Sequence, residues 1–173
     1  MFIPLPTNLK GNTLIESLVI SKKTDLNSLL EFIREEFDYD FYYTFENSRI
    51  YSSTLTELKT FLHACRNIYV FCDRGDYKGI IMLWKSMGGG KERCYVKIRA
   101  QNDDIARNLL TVLLWNIKDE IFAKIRKDNK YLQVFKNKGF RFIGGRGIQV
   151  LLMYKPKKET NGRDTSINTR NPD

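Results

Sequence analysis

The sequence predicts a single α/β domain with a mixed, mostly antiparallel sheet flanked by helices. The 173 residues are 42% hydrophobic, which is enough for one domain with a sizeable core. Stretches with the two-residue period of a strand are interspersed along the chain with stretches of helical period. Turn residues between successive apolar runs, as in 74–79, predict hairpins, whose strands are antiparallel.

The central element is predicted to be a strand that leads directly into a helix, over residues 91–119. Apolar residues alternate with polar ones up to Ala100 and then recur at helical spacing, as in Ile105, Leu109, Val112, Leu113 and Ile117. Asn102, Asp103 and Asp104 stand where this helix begins, and any of them can cap its N–H groups. Since a helix N-terminus gathers backbone donors, this junction can hold an anion.

The remaining elements follow from the same periods. Strands are expected at 13–20, 67–73, 79–85 and 120–127, and helices at 26–37, from Thr54 and at 129–138. A final hairpin is expected over 140–155, so the domain spans 1–155. Residues 156–173 are polar without apolar periodicity, which predicts a disordered tail.

Charge is distributed unevenly along the chain. Residues 74–158 carry 20 Lys and Arg against 7 Asp and Glu, whereas residues 1–73 carry 7 against 10. This basic block favours a polyanion or a phosphate-bearing ligand as partner, although a solvated surface accounts for it equally well.

Three scattered cysteines neither suggest a disulfide framework nor have zinc-ligand spacing, so no metal site is predicted. Together with the lack of a signal peptide or a membrane-length apolar run, they indicate a cytoplasmic protein.

The junction at 96–110 resembles motif A of the GNAT superfamily of N-acyltransferases. That motif is a strand, then Gln/Arg-x-x-Gly-x-Gly/Ala, then a Leu-rich helix. Gln101 and Ala106 match its first and last positions, whereas Asp104 replaces the middle glycine and Ile98 the usual proline. In the family this loop holds the pyrophosphate of coenzyme A on backbone amides.

The C-terminal part also resembles the family, through Gly139-Phe140 and the hairpin that follows. Counted back from Gly139, the position of the family's general-acid tyrosine is Phe135, and the position of its alanine is Tyr131. Tyr131 lies one helical turn before Phe135, so it is either an alternative acid or a core aromatic.

The resemblance implies a sheet splayed at the central strand, with the strands at 92–99 and 120–127 as diverging neighbours. It implies acyl transfer from acetyl-CoA or another acyl-CoA to an amine. The donor would lie against Val96, Ile98, Gln101, Asn102, Asp103, Asp104, Ile105, Ala106 and Arg107. Candidate catalytic residues are Tyr131, Glu92 and Tyr95, and candidate substrate-binding residues are Tyr42, Tyr43, Arg99, Arg141 and Arg146.

Two alternatives remain open for the acceptor and for the activity. The basic charge and the divergent motif are similar in kind to the phage Mom proteins, GNAT-like proteins that modify bases of DNA, although no Mom-specific motif is matched. The non-enzymatic alternative is a catalytically degenerate GNAT-fold module that binds nucleic acid or protein, with which Asp104 and Phe135 agree.

Overall fold

The computed structural model describes residues 13–19, 27–35 and 55–156. Its strands are β1 (Thr13–Ser17), β2 (Asn67–Asp73), β3 (Asp76–Gly88), β4 (Lys91–Ala100), β5 (Ile121–Arg126), β6 (Arg141–Arg146) and β7 (Gln149–Tyr154). Its helices are α1 (Asn27–Glu35), α2 (Leu55–Ala64), α3 (Asp103–Asn116) and α4 (Leu132–Asn137). Tyr42, Tyr43 and the predicted tail from residue 157 onward lie outside the described residues.

All seven strands form one sheet in the order β1-β2-β3-β4-β5-β7-β6. Every neighbouring pair is antiparallel except β4 and β5, which α3 connects as a parallel crossover. Helices α1 and α2 bury one face of the sheet, through Leu29, Ile33, Phe61 and Leu62. Helices α3 and α4 bury the other face. None of the helices in the described part of the chain is long and apolar enough to cross a membrane.

The predicted divergence of the two central strands is confirmed. β4 pairs with β3 along its whole length, from Lys91 to Ala100. Its pairing with β5 covers only Cys94 with Ile121 and Tyr95 with Phe122. Because β5 is held by β7 along its own full length, the C-terminal halves of β4 and β5 separate and leave a gap between them.

Several elements differ in extent from the prediction, and two of these differences have a visible cause. The second strand of the first hairpin begins at Asp76 rather than at Gly79, because Tyr77 and Asp76 continue the pairing with β2 past a bulge. The helix predicted at 129–138 is confined to 132–137. It starts late because the Asn129 side chain accepts a hydrogen bond from the Tyr131 N–H at 2.8 Å and holds the preceding residues in a turn.

Gly79 sets how closely the start of α3 approaches the sheet. A Cβ at Gly79 would lie 2.6 Å from Ile105 Cγ2 and 2.8 Å from Leu109 Cδ1, both shorter than van der Waals contact. The first two turns of α3 therefore rest directly on the β3 backbone. This packing fixes the position of the helix N-terminus relative to the end of β4.

We expect Gly79→Ala to lower the free energy of unfolding by about 1–3 kcal/mol, because the added methyl group overpacks a buried contact. Gly144→Ala is the matched control, since a Cβ there meets nothing within 4 Å and the φ angle needs no glycine. Urea unfolding followed by circular dichroism compares the two variants. Equal stability of both would show that α3 can shift without cost.

Candidate functional site

The edge of β4 that faces β5 is open beyond Tyr95. Successive residues of a strand direct their N–H and C=O groups to opposite sides. Gln101 N–H donates to Lys78 O at 2.9 Å, on the side of β3. The backbone groups of Ile98 and Ala100 therefore point the other way, into the gap between β4 and β5.

The Tyr131 side chain reaches this open edge from the start of α4. Its hydroxyl donates to Ala100 O at 2.6 Å and accepts from Ala100 N–H at 2.9 Å. Tyr131 is only 3% exposed, so both hydrogen bonds are shielded from water. Tyr131, the predicted alternative acid, therefore donates its hydroxyl proton to a backbone carbonyl at the C-terminal end of β4.

The N-terminus of α3 lies next to the gap and is capped as the sequence predicted. Asn102 Oδ1 accepts from Ile105 N–H at 2.9 Å, so one backbone donor of the helix end is already satisfied. Asp103 and Asp104 occupy the first turn, and both are exposed. Asp104 accepts a hydrogen bond from Arg107 at 2.8 Å. The arginine is therefore paired with the aspartate that replaces the middle glycine of the motif.

Arg107 also has a cationic neighbour on the adjacent helix. The pKa of Lys138, at the end of α4, is lowered by burial and further by the charge of Arg107. Two neighbouring cations, one on α3 and one at the end of α4, favour an anion between them. The sequence did not predict Lys138 as a site residue, because its proximity to Arg107 depends on how the two helices pack.

A cavity of about 550 Å³ opens at the other end of β4, where β4 and β5 are paired. Charged and apolar side chains line it: Lys85, Lys91, Glu92, Arg93, Cys94, Asp119, Glu120, Phe122, Ile143 and Met153. Three of its acids have cationic partners, in the pairs Glu92–Lys85 at 2.6 Å, Glu120–Lys155 at 3.4 Å and Asp119–Arg66. Its volume suits a small ligand.

Cys94 has two charged neighbours at the cavity. Asp119 Oδ2 and Arg66 Nη1 each lie 4.0 Å from its sulfur. The crossover through α3 brings Asp119 beside β4 from 25 residues away. The other two cysteines are neutral thiols in partly buried places, since burial raises the pKa of Cys65 to about 12 and also raises that of Cys72.

The three candidate catalytic residues do not come together. Glu92 lies at the cavity, and the Tyr95 ring stacks on Trp84 with its hydroxyl beside Gly88, at the β3–β4 hairpin. Tyr131 instead contacts Ala100, eight residues from Glu92 along one strand, or about 26 Å. A single reaction centre can therefore include Glu92 or Tyr131, but not both.

The candidate donor residues lie on one side of β4. Val96 and Ile98 point toward α3 with their side chains buried, and Ile105 and Ala106 anchor α3 on the same core. Gln101 is exposed beside the first turn of α3. Phe135, at the family's acid position, is 1% exposed and packs edge-on against Phe140, so no acid stands there.

The candidate substrate-binding residues are dispersed. Arg99 is 6% exposed and lies on the face of β4 opposite Val96 and Ile98, so it and Arg107 lie on opposite faces of the sheet. Arg141 and Arg146 are exposed at the two ends of β6, the edge strand. Their roles in substrate binding stay predictions.

The fold has many solved counterparts. A probable acetyltransferase from Staphylococcus epidermidis superimposes with a TM-score of 0.60 at 16% identity, covering 84% of this chain and 99% of that one. An N-acetyltransferase from Staphylococcus aureus gives 0.61 at 14% identity, covering 83% and 97%. A putative acetyltransferase from Salmonella typhimurium, solved with its cofactor acetyl-CoA, gives 0.58 at 12% identity, covering 84% and 96%.

No protein-family model and no curated protein matches the sequence. At these identities the structural likeness establishes the fold alone. The chain has the fold of GNAT acetyltransferases, as the order of its elements predicted.

Proposed function

We propose that this protein is an N-acyltransferase that takes an acyl group from an acyl-CoA and delivers it to an amine. The observation that supports this most directly is the gap between β4 and β5, which opens beside the N-terminus of α3. A strand edge with outward-facing backbone groups can bind the amide-containing arm of coenzyme A. A helix N-terminus next to it can bind the phosphates.

The residues around the gap fit an anionic donor. The pKa of Lys138 is lowered chiefly by burial and also by the charge of Arg107, so the two cations are electrostatic neighbours. A phosphate between these two cations would offset the repulsion between them. Asp103 and Asp104 oppose the same phosphates, so the expected affinity is lower than for a glycine-containing loop.

The cavity at the paired end of β4 and β5 is the proposed acceptor site. Its lining has three carboxylates, of Glu92, Asp119 and Glu120, which an ammonium group would bind by displacing their present cationic partners. Glu92 is open to solvent but stands six residues, about 20 Å, from Ile98 along β4, so its role would be to bind the acceptor and not to take the proton that the amine loses. The acyl donor supplies an activated thioester carbonyl, and the Ile98 N–H would donate to its oxygen.

Calorimetry with acetyl-CoA and product analysis by mass spectrometry with a panel of amines test this proposal together. We expect binding and an acylated amine. Binding without transfer to any amine would favour the degenerate binding module. Absence of binding to any acyl-CoA would contradict the proposal.

We expect Asp104→Asn to tighten acetyl-CoA binding by about 1 kcal/mol, the scale of one charge near a helix N-terminus. The change removes an acid facing the phosphates and also releases Arg107 from its ion pair. Asp103→Asn is the matched control, because it removes the same charge from the same helical turn and leaves the Asp104–Arg107 pair in place. Calorimetry should show a larger gain for Asp104→Asn; equal gains would mean that Arg107 does not contact the donor.

A nucleic acid base is the second acceptor that we propose. Edge strand β6 presents Arg141 and Arg146 to solvent, with Phe142 between them at 64% exposed. Arginines contact phosphates, and an exposed aromatic ring can stack on a base. This pattern favours a single-stranded or locally opened substrate.

We expect the double variant Arg141→Glu with Arg146→Glu to weaken binding of single-stranded DNA and to flatten its salt dependence, because fewer counterions are released. Lys59→Glu with Arg74→Glu changes the net charge equally on exposed positions of α2 and the β2–β3 turn. Fluorescence anisotropy over a salt series compares both. Equal losses would indicate diffuse attraction rather than a site on β6.

A further inference from the structure

The Tyr131 hydroxyl occupies the edge of β4 along which the proposed donor would lie. We infer that Tyr131 is a gate: an acyl-CoA can use the end of that edge only after the hydroxyl has released Ala100. This inference rests on the proposed function, because it concerns access to the same gap.

The two hydrogen bonds of Tyr131 satisfy a complete backbone pair. The hydroxyl accepts from Ala100 N–H at 2.9 Å and donates to Ala100 O at 2.6 Å. The trans amide groups of the coenzyme A arm can between them supply the same acceptor and donor. The tyrosine and the donor amides therefore compete for the same two backbone groups.

The closed position is favoured without a ligand. Withdrawal of the hydroxyl would leave a buried N–H and a buried C=O of Ala100 unsatisfied, which is costly. The Tyr131 ring lies in the core with Val134 and Phe135, and its own N–H is held by Asn129. A donor that supplies replacement hydrogen bonds removes most of that cost, so binding and opening are coupled.

The part that must move is small. α4 has only six residues, and turns adjoin it at 127–131 and at Lys138–Gly139. Gly139 has a φ of +91°, a conformation that glycine adopts without strain. Lys138 follows directly after this short helix, so a shift of α4 that frees Ala100 would also move Lys138 relative to Arg107.

A gate of this kind lowers the apparent affinity for the donor in proportion to the fraction of protein molecules whose gate is open. Tyr131→Phe keeps the ring but removes both hydrogen bonds, so the variant should bind acetyl-CoA roughly tenfold more tightly, the effect of one buried hydrogen bond. Tyr69→Phe is the control, because Tyr69 is also buried in this core, at 4% exposed, but lies on β2. It should leave the affinity unchanged.

Calorimetry with acetyl-CoA on the full chain measures these affinities. Equal or weaker binding by Tyr131→Phe, with the wild-type protein binding, would overturn the gate and leave the proposed function intact. Failure of wild type, Tyr131→Phe and Tyr131→Ala alike to bind would reject the proposed function and the gate with it.

A kinetic measurement on the wild-type protein avoids the risk that a variant folds poorly. Stopped-flow mixing should give a binding rate that reaches a plateau as acetyl-CoA is increased, because gate opening becomes limiting. A rate that rises linearly over the whole range would contradict the gate.

Discussion

The short pairing of β4 with β5 is the constraint on which the rest of the structure depends. β4 is bound to β3 over ten residue pairs and β5 to β7 over six, whereas only two pairs join β4 to β5. Each central strand therefore follows its own half of the twisted sheet, and the halves diverge. The gap, the edge of β4 at Ile98 and Ala100 that β5 does not pair, and the access of Tyr131 to that edge all result from this difference.

The close packing of α3 turns that gap into a candidate binding groove. Because Gly79 has no side chain, the first turns of α3 lie directly on β3 and the helix begins where β4 ends. Its N–H groups and Arg107 are thus fixed beside the open edge. The cavity lies at the opposite end of β4, where β4 and β5 are paired. Carboxylates such as those of Glu92 and Asp119 line it there.

Periodicity predicted the elements well because it depends on neighbouring residues. The change of period after Ala100 marks the β4–α3 junction, and the cap came from Asn102, one of three candidates. The contacts that define the site were not predictable in this way. Tyr131 is hydrogen-bonded to Ala100 across 31 residues, and the charge of Arg107 acts on Lys138 from a different helix, so neither leaves a local signal. The sequence offered both Glu92 and Tyr131 as catalytic candidates, but the structure places them too far apart to act in one reaction centre.

The central claim, that an acyl-CoA lies in the gap between β4 and β5, is tested most directly by amide hydrogen exchange with and without acetyl-CoA. The Ile98 N–H faces the gap, whereas the Arg99 N–H faces β3, where Arg99 pairs with Ile80. The account predicts that acetyl-CoA slows exchange at Ile98 and at the first residues of α3, with little change at Arg99. Slowed exchange confined to β6 and β7, with Ile98 unchanged, would contradict it.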